Sequence, residues 1–241
     1  MPYQATVGRM TSVEFFASIP PGLFVFLVSY TCLVSASGKE PPPSLWGHLM
    51  ALSNALKESP PLILFVIFGA YLIGSVIRSM PVQWAESVTA FGRKHSRFPY
   101  SLELVDLLQR LDAQSGATDL EAKGLPKFTE LTAGVFNYWK DFLCIKAPEG
   151  FVYYQTFEAR SRFYTGMFWA GVAGVAGFIV MLGLWGKGGI SLVPATQLLV
   201  LSVILVVAFG LQLWRVREQE ARVLLMLFVV ARKESVATVS G

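Results

Sequence analysis

Apolar positions along this chain gather in four long runs that hold no Asp, Glu, Lys, Arg or His: residues 15–38, 59–77, 163–186 and 188–214. About 18–20 apolar residues in a helix cross the ~30 Å hydrocarbon core of a bilayer. Each run reaches that length, and backbone amides in lipid must pair within their own segment, so each run must be helical. The pattern predicts an all-α polytopic membrane protein with four transmembrane helices in two hairpins. A fifth apolar run, 223–231, is too short to cross.

The expected organisation follows. Residues 1–14 form a cytoplasmic N-terminus, 15–78 the first hairpin with an outer loop at 38–58, and 79–162 a helical cytoplasmic domain. Residues 163–214 form the second hairpin, and 215–241 a cytoplasmic helix and tail. The first span reads as a retained helix. Its only preceding base, Arg9, sits near Glu14, and its apolar stretch exceeds the ~7–15 residues of a signal-peptide core.

Local signals refine the elements. A short interfacial helix over 12–18 is expected to break or kink at Pro20-Pro21-Gly22, with the crossing helix starting near Pro21. In the outer loop, Ser44 caps a helix whose apolar stripe is Leu45, Leu49, Leu52 and Leu56, which either lies on the outer leaflet with Trp46 at headgroup level or packs as an extracellular cap. In the long loop, Leu104, Leu107, Leu108 and Leu111 make one helical face. Phe128, Leu131, Val135, Tyr138, Trp139 and Phe142 make another. Pro148-Glu149-Gly150 is expected to end that second helix. From about Phe151 the chain then runs unbroken into the third span, with Glu158 and Arg162 at i,i+4. The fourth span is expected to continue as a helix whose apolar side is Val216, Val223, Leu224, Leu227, Phe228 and Ala231.

Composition agrees with the runs. Of 241 residues, 54% are hydrophobic and 15% charged. Soluble domains carry about 25% charge, so the deficit fits a membrane class. Charge placement predicts orientation. Arg9, the eleven bases from Arg78 to Arg162, and Arg215, Arg217, Arg222, Arg232 and Lys233 fall on one side. Lys39, Lys57 and Lys187 fall on the other. The positive-inside rule places the richer side in the cytoplasm, here of a bacterial inner membrane.

Candidate chemistry is sparse. The runs hold no ionisable group of the kind that marks proton relays and ion-coupled transporters. His48 and His95 fall on opposite sides of the predicted membrane. His48 reads as an interfacial surface residue, and neither a metal site nor a catalytic triad is expected. Cys32 and Cys144 lie at different depths, so no disulfide between them is expected. No cofactor motif is present. The long loop's ten acids nearly balance its eleven bases, which argues against nucleic acid.

Three groups of residues are candidate sites. Ser29, Cys32 and Ser35 recur at three-residue steps in the first span and could line a pore. Small polar residues of this kind also serve as packing between helices. Ala170, Gly174 and Gly177 fit close helix packing. Arg93, Lys94 and Arg97 could contact lipid headgroups or a phosphate ligand.

Three functional readings are open. One is a homo-oligomeric channel or pore-type effector gated through its cytoplasmic helices. The second is a non-enzymatic membrane scaffold or accessory subunit that docks a cytoplasmic or membrane partner. A membrane enzyme ranks last, because no catalytic constellation is found. Expected partners are the lipid bilayer, further copies of the chain, and a cytoplasmic protein or small ligand.

Overall fold

The computed structural model describes residues 2–37, 42–80, 85, 133–185 and 192–237. Among them the structure is helical with no strand. The helices are α1 (Pro2–Ala36), α2 (Leu45–Glu58), α3 (Pro60–Ser79), α4 (Ala133–Lys146), α5 (Pro148–Trp185) and α6 (Leu192–Ala237). Four segments are long and apolar enough to cross a membrane: Ala17–Ala36, Pro60–Ser79, Pro148–Leu184 and Leu192–Phe228. The last two are 37 residues each. At 1.5 Å per residue that is about 55 Å, nearly twice the hydrocarbon core. Charge marks the part that suits lipid, because Arg160 and Arg162 precede residue 163 and Arg215 and Arg217 follow residue 214.

The chain divides into two compact units. One joins Met1–Phe91 to Arg162–Leu213, and the other joins Gly92–Ser161 to Trp214–Gly241. Helices α5 and α6 each contribute one stretch to both.

In the first unit, α1 and α3 pack along each other through small residues. A Cβ at Gly22 would collide with the Ala70 carbonyl of α3, and one at Gly74 would collide with the Ser18 carbonyl of α1. Helices in lipid gain little from burying apolar surface, so close backbone approach supplies the contact. Of the break or kink expected at Pro20-Pro21-Gly22, the break does not occur. Both prolines lie inside a continuous α1. Proline costs helix hydrogen bonds, but here Gly22 beside it admits α3, and that packing holds the helix through the prolines. Arg78 at the end of α3 donates from Nη1 to the buried Ser18 hydroxyl at 2.8 Å. Its stem passes the bare face of Gly166 on α5.

Helix α2 starts where the sequence indicates. The Ser44 hydroxyl accepts from the Gly47 amide at 3.1 Å, and the Leu45 amide donates to Gln197 Oε1 of α6 at 2.8 Å. Leu45 is buried and Trp46 exposed. Ser44→Ala should weaken the start of α2 by about 1 kcal/mol. Hydrogen exchange at the Gly47 amide would read this as faster opening. Unchanged exchange would remove the cap's role.

His48 is the correction in this helix. It is fully buried rather than at the surface. It follows Leu45 by three residues, so one α2 face carries both inward.

The second unit is built from α4, the beginning of α5 and the end of α6. Its core holds Trp139, Leu143, Tyr154, Ala221, Leu224, Leu225, Phe228 and Ala231. Phe228 stacks on Trp139 at 5.7 Å between centroids and meets Phe142 edge-on at 5.1 Å. The apolar side of α6 thus packs on the long-loop helix of its own chain. Helix α4 ends at Lys146, ahead of Pro148 as expected, and after the Ala147 link Pro148 itself begins α5, three residues before the expected Phe151. Proline lacks the amide that a first-turn residue would leave unpaired, so it suits this position.

Candidate functional site

The most developed polar arrangement among the described residues lies inside the second unit. The Tyr154 hydroxyl donates to Glu220 Oε1 at 2.7 Å, and Arg217 Nη1 donates to Glu220 Oε2 at 2.6 Å. Glu220 and Tyr154 are both fully buried. Beside them, Lys140 Nζ pairs with Glu158 Oε1 at 3.2 Å and stands 5.1 Å from the centre of the Tyr154 ring. The knot therefore ties α4, α5 and α6 together. Each oxygen of Glu220 has a donor and no exposure to water. Such a carboxylate is arranged to hold helices in register.

Sequence reasoning did not single out Tyr154 or Glu220. A signal was present for Glu220. It stands at i+4 from Val216 and i−4 from Leu224, so a charge interrupts the apolar stripe of α6. A charge placed there must be paired when the stripe is buried.

The three hydroxyl and thiol groups of the first span do not share a surface. Ser29 is exposed, and its hydroxyl donates to the Val25 carbonyl one turn back at 2.9 Å. Cys32 is half-buried, with its sulfur 3.7 Å from the Gly177 carbonyl of α5. Ser35 is buried, and its hydroxyl finds no hydrogen-bond partner. Steps of three residues on a 3.6-residue helix drift by about 60° each, so Ser29 and Ser35 end about 120° apart. That drift spreads the three candidate pore-lining groups around α1 rather than along one line.

Ala170, Gly174 and Gly177 are all buried. A Cβ at Gly174 would run into the Ser202 hydroxyl of α6 and come within 2.9 Å of the Phe24 ring of α1. One at Gly177 would press on Val28 of α1, and one at the neighbouring Gly171 would lie 3.0 Å from the Ser202 carbonyl. This face of α5 therefore meets both α1 and α6. Around it, Val28, Met181, Ala195 and Leu198 form one apolar cluster, and Ala85, Phe168 and Leu213 form another.

Arg93, Lys94, Arg97, His95 and the leucine face at 104–111 lie outside the described residues, as do Phe128 and Leu131. Both cysteines are free, and Cys144 is exposed. Among the described residues no group of three His, Cys, Asp or Glu side chains is close enough to hold a metal ion. Comparison with protein-family models, curated proteins and solved structures finds no match to this chain.

Proposed function

We propose that this chain is a non-enzymatic integral membrane scaffold or accessory subunit that holds a helical domain at the cytoplasmic face for a protein partner. In this reading the chain crosses a bacterial inner membrane as two hairpins. Both termini and the domain lie on the side richer in Lys and Arg. The observation that carries the reading is the second unit. It closes its own core around the Tyr154–Glu220–Arg217 knot, yet leaves Ile145, Tyr153, Met226 and Val230 exposed. Ile145 and Tyr153 precede the charged approach to the third span, and Met226 and Val230 follow the charged exit from the fourth. Apolar side chains outside the lipid-spanning stretch are the kind of surface that binds another protein.

A second reading is a pore between copies of the chain. The outward-facing Ser29 favours it, since that hydroxyl could only line a path enclosed by a neighbouring copy.

The mass of the detergent-solubilised particle, with bound detergent subtracted, separates the two. Scaffolding predicts a stoichiometric complex with a different chain, lost in Ile145→Asp or Met226→Asp while the fold persists. A homo-oligomer of three or more, with liposome conductance altered by Ser29→Trp, would replace scaffolding by the pore.

A further inference from the structure

The first unit contains a buried basic group that no described residue satisfies. His48 of α2 is fully enclosed, and among the described residues neither ring nitrogen has a hydrogen-bond partner. Its ring meets Tyr30 of α1 edge-on at 6.2 Å between centroids. An imidazole buried without a partner gives up its hydrogen bonds to water and gains none in return. Core packing alone would be better served by phenylalanine or leucine.

The groups that could face His48 are few. Between residues 15 and 36, α1 carries no ionisable group except Tyr30 and Cys32. Helix α3 carries no charge before Arg78 at its far end, apart from the phenol of Tyr71. Helix α6 offers the neutral Gln197, already engaged by the Leu45 amide. Lys57 and Glu58 of α2 itself lie nine and ten residues beyond His48, about 14 Å along the helix. Lys39, Glu40 and Lys187 lie outside the described residues. Burial alone lowers the basicity of the ring below its ordinary value.

We propose that His48 is a proton-sensitive latch: neutral, it lets α2 seat on α1; protonated, it releases α2 to the surrounding water. A cation enclosed against Tyr30 with no acceptor is costly, whereas the same cation on a lifted helix is hydrated. The attachment can yield locally, because Ser44 and the Leu45–Gln197 bond are the polar ties at the start of α2.

The direction is fixed by linkage. His48 titrates lower when seated than when released, so the released state binds more protons. Seating is therefore at full strength above about pH 6.5 and weakens as pH falls from there. The seated-to-released ratio drops by up to about tenfold per pH unit, until His48 protonates in place.

Hydrogen exchange over residues 45–58 tests this on the full chain in lipid nanodiscs. Protection is corrected for intrinsic exchange and compared at pH 7.5 and pH 5.0. The expected result is a loss of protection, up to about thirtyfold, in wild type and no loss in His48→Phe, which keeps the ring and its edge contact without a proton site. Equal protection at both pH values in wild type overturns the latch, as does the same pH response in His48→Phe. If His48→Phe does not fold, the His48 ring proton can be titrated by NMR in a His95→Gln background. A midpoint below 6.5 with α2 signals shifting on protonation supports the latch. A midpoint at or above 6.5 overturns it.

Discussion

Gly74→Val is expected to prevent α1 and α3 from docking and to collapse the yield of monodisperse protein. The first carbon of any side chain at this position would occupy the space of the Ser18 carbonyl. A clash with the far end of a flexible side chain can relax, but a backbone carbonyl on a continuous helix moves only if the helices part. Overpacking in cores costs about 1–3 kcal/mol and sometimes more. Here the loss should reach at least the top of that range, since parting the helices also removes the Gly22–Ala70 contact and strains the Arg78–Ser18 hydrogen bond. Native proteins have only about 5–15 kcal/mol to lose. Gly69→Val is the control, because a Cβ there meets nothing within 4 Å. The same chemical change one helical position class away should leave the melting temperature within a few degrees of wild type. If both variants melt alike, the seam between α1 and α3 does not hold the first unit together.

Glu220→Ala should destabilise the second unit by about 3–5 kcal/mol, the usual cost of removing one member of a buried ion pair. The alanine leaves the Arg217 guanidinium, whose side chain is 15% exposed, and the Tyr154 hydroxyl without this acceptor. Glu220→Gln should fall in between, since an amide oxygen can still accept from Tyr154 but carries no charge for Arg217. Tyr154→Phe removes a single neutral donor and should cost about 1–3 kcal/mol. Combined with Glu220→Ala it should add little, because the hydroxyl's partner has already gone. Trp139 stacks on Phe228 in the same core, so its fluorescence, in a chain whose other five tryptophans are replaced by Phe, offers a thermal readout local to this unit. A Glu220→Ala protein that melts within about 0.5 kcal/mol of wild type would mean the knot contributes nothing to register.

How much was legible differs between elements for physical reasons. The start of helix α2 could be read to the residue, since its signals are local: a capping hydroxyl at Ser44 and apolar residues at helical spacing. The extension of α6 beyond Trp214 was legible for the same reason, as its stripe continues at the same period. The prolines were legible in part. Helix α4 ends before Pro148 as expected, but Pro148 itself opens α5 three residues ahead of Phe151, and Pro20 and Pro21 sit within a continuous α1. Proline's local preference is real, but whether it ends, begins or interrupts a helix depends on what packs beside it. Ser29, Cys32 and Ser35 misled because equal spacing in sequence conceals a steady rotation around the helix.

By itself the sequence determined four stretches apolar enough to span a membrane as helix and the helical periodicity of the tail beyond the last of them. Those properties depend on how many consecutive residues lack charge and how apolar positions recur, which no neighbour can alter. Tertiary structure alone decided which small residues touch backbone, so that Gly22 and Gly74 matter where Gly69 does not. It also decided that Glu220 is paired inside a core and that His48 is enclosed without a partner. Burial and pairing are relations between distant segments, and a polar residue's role follows from what the fold brings against it.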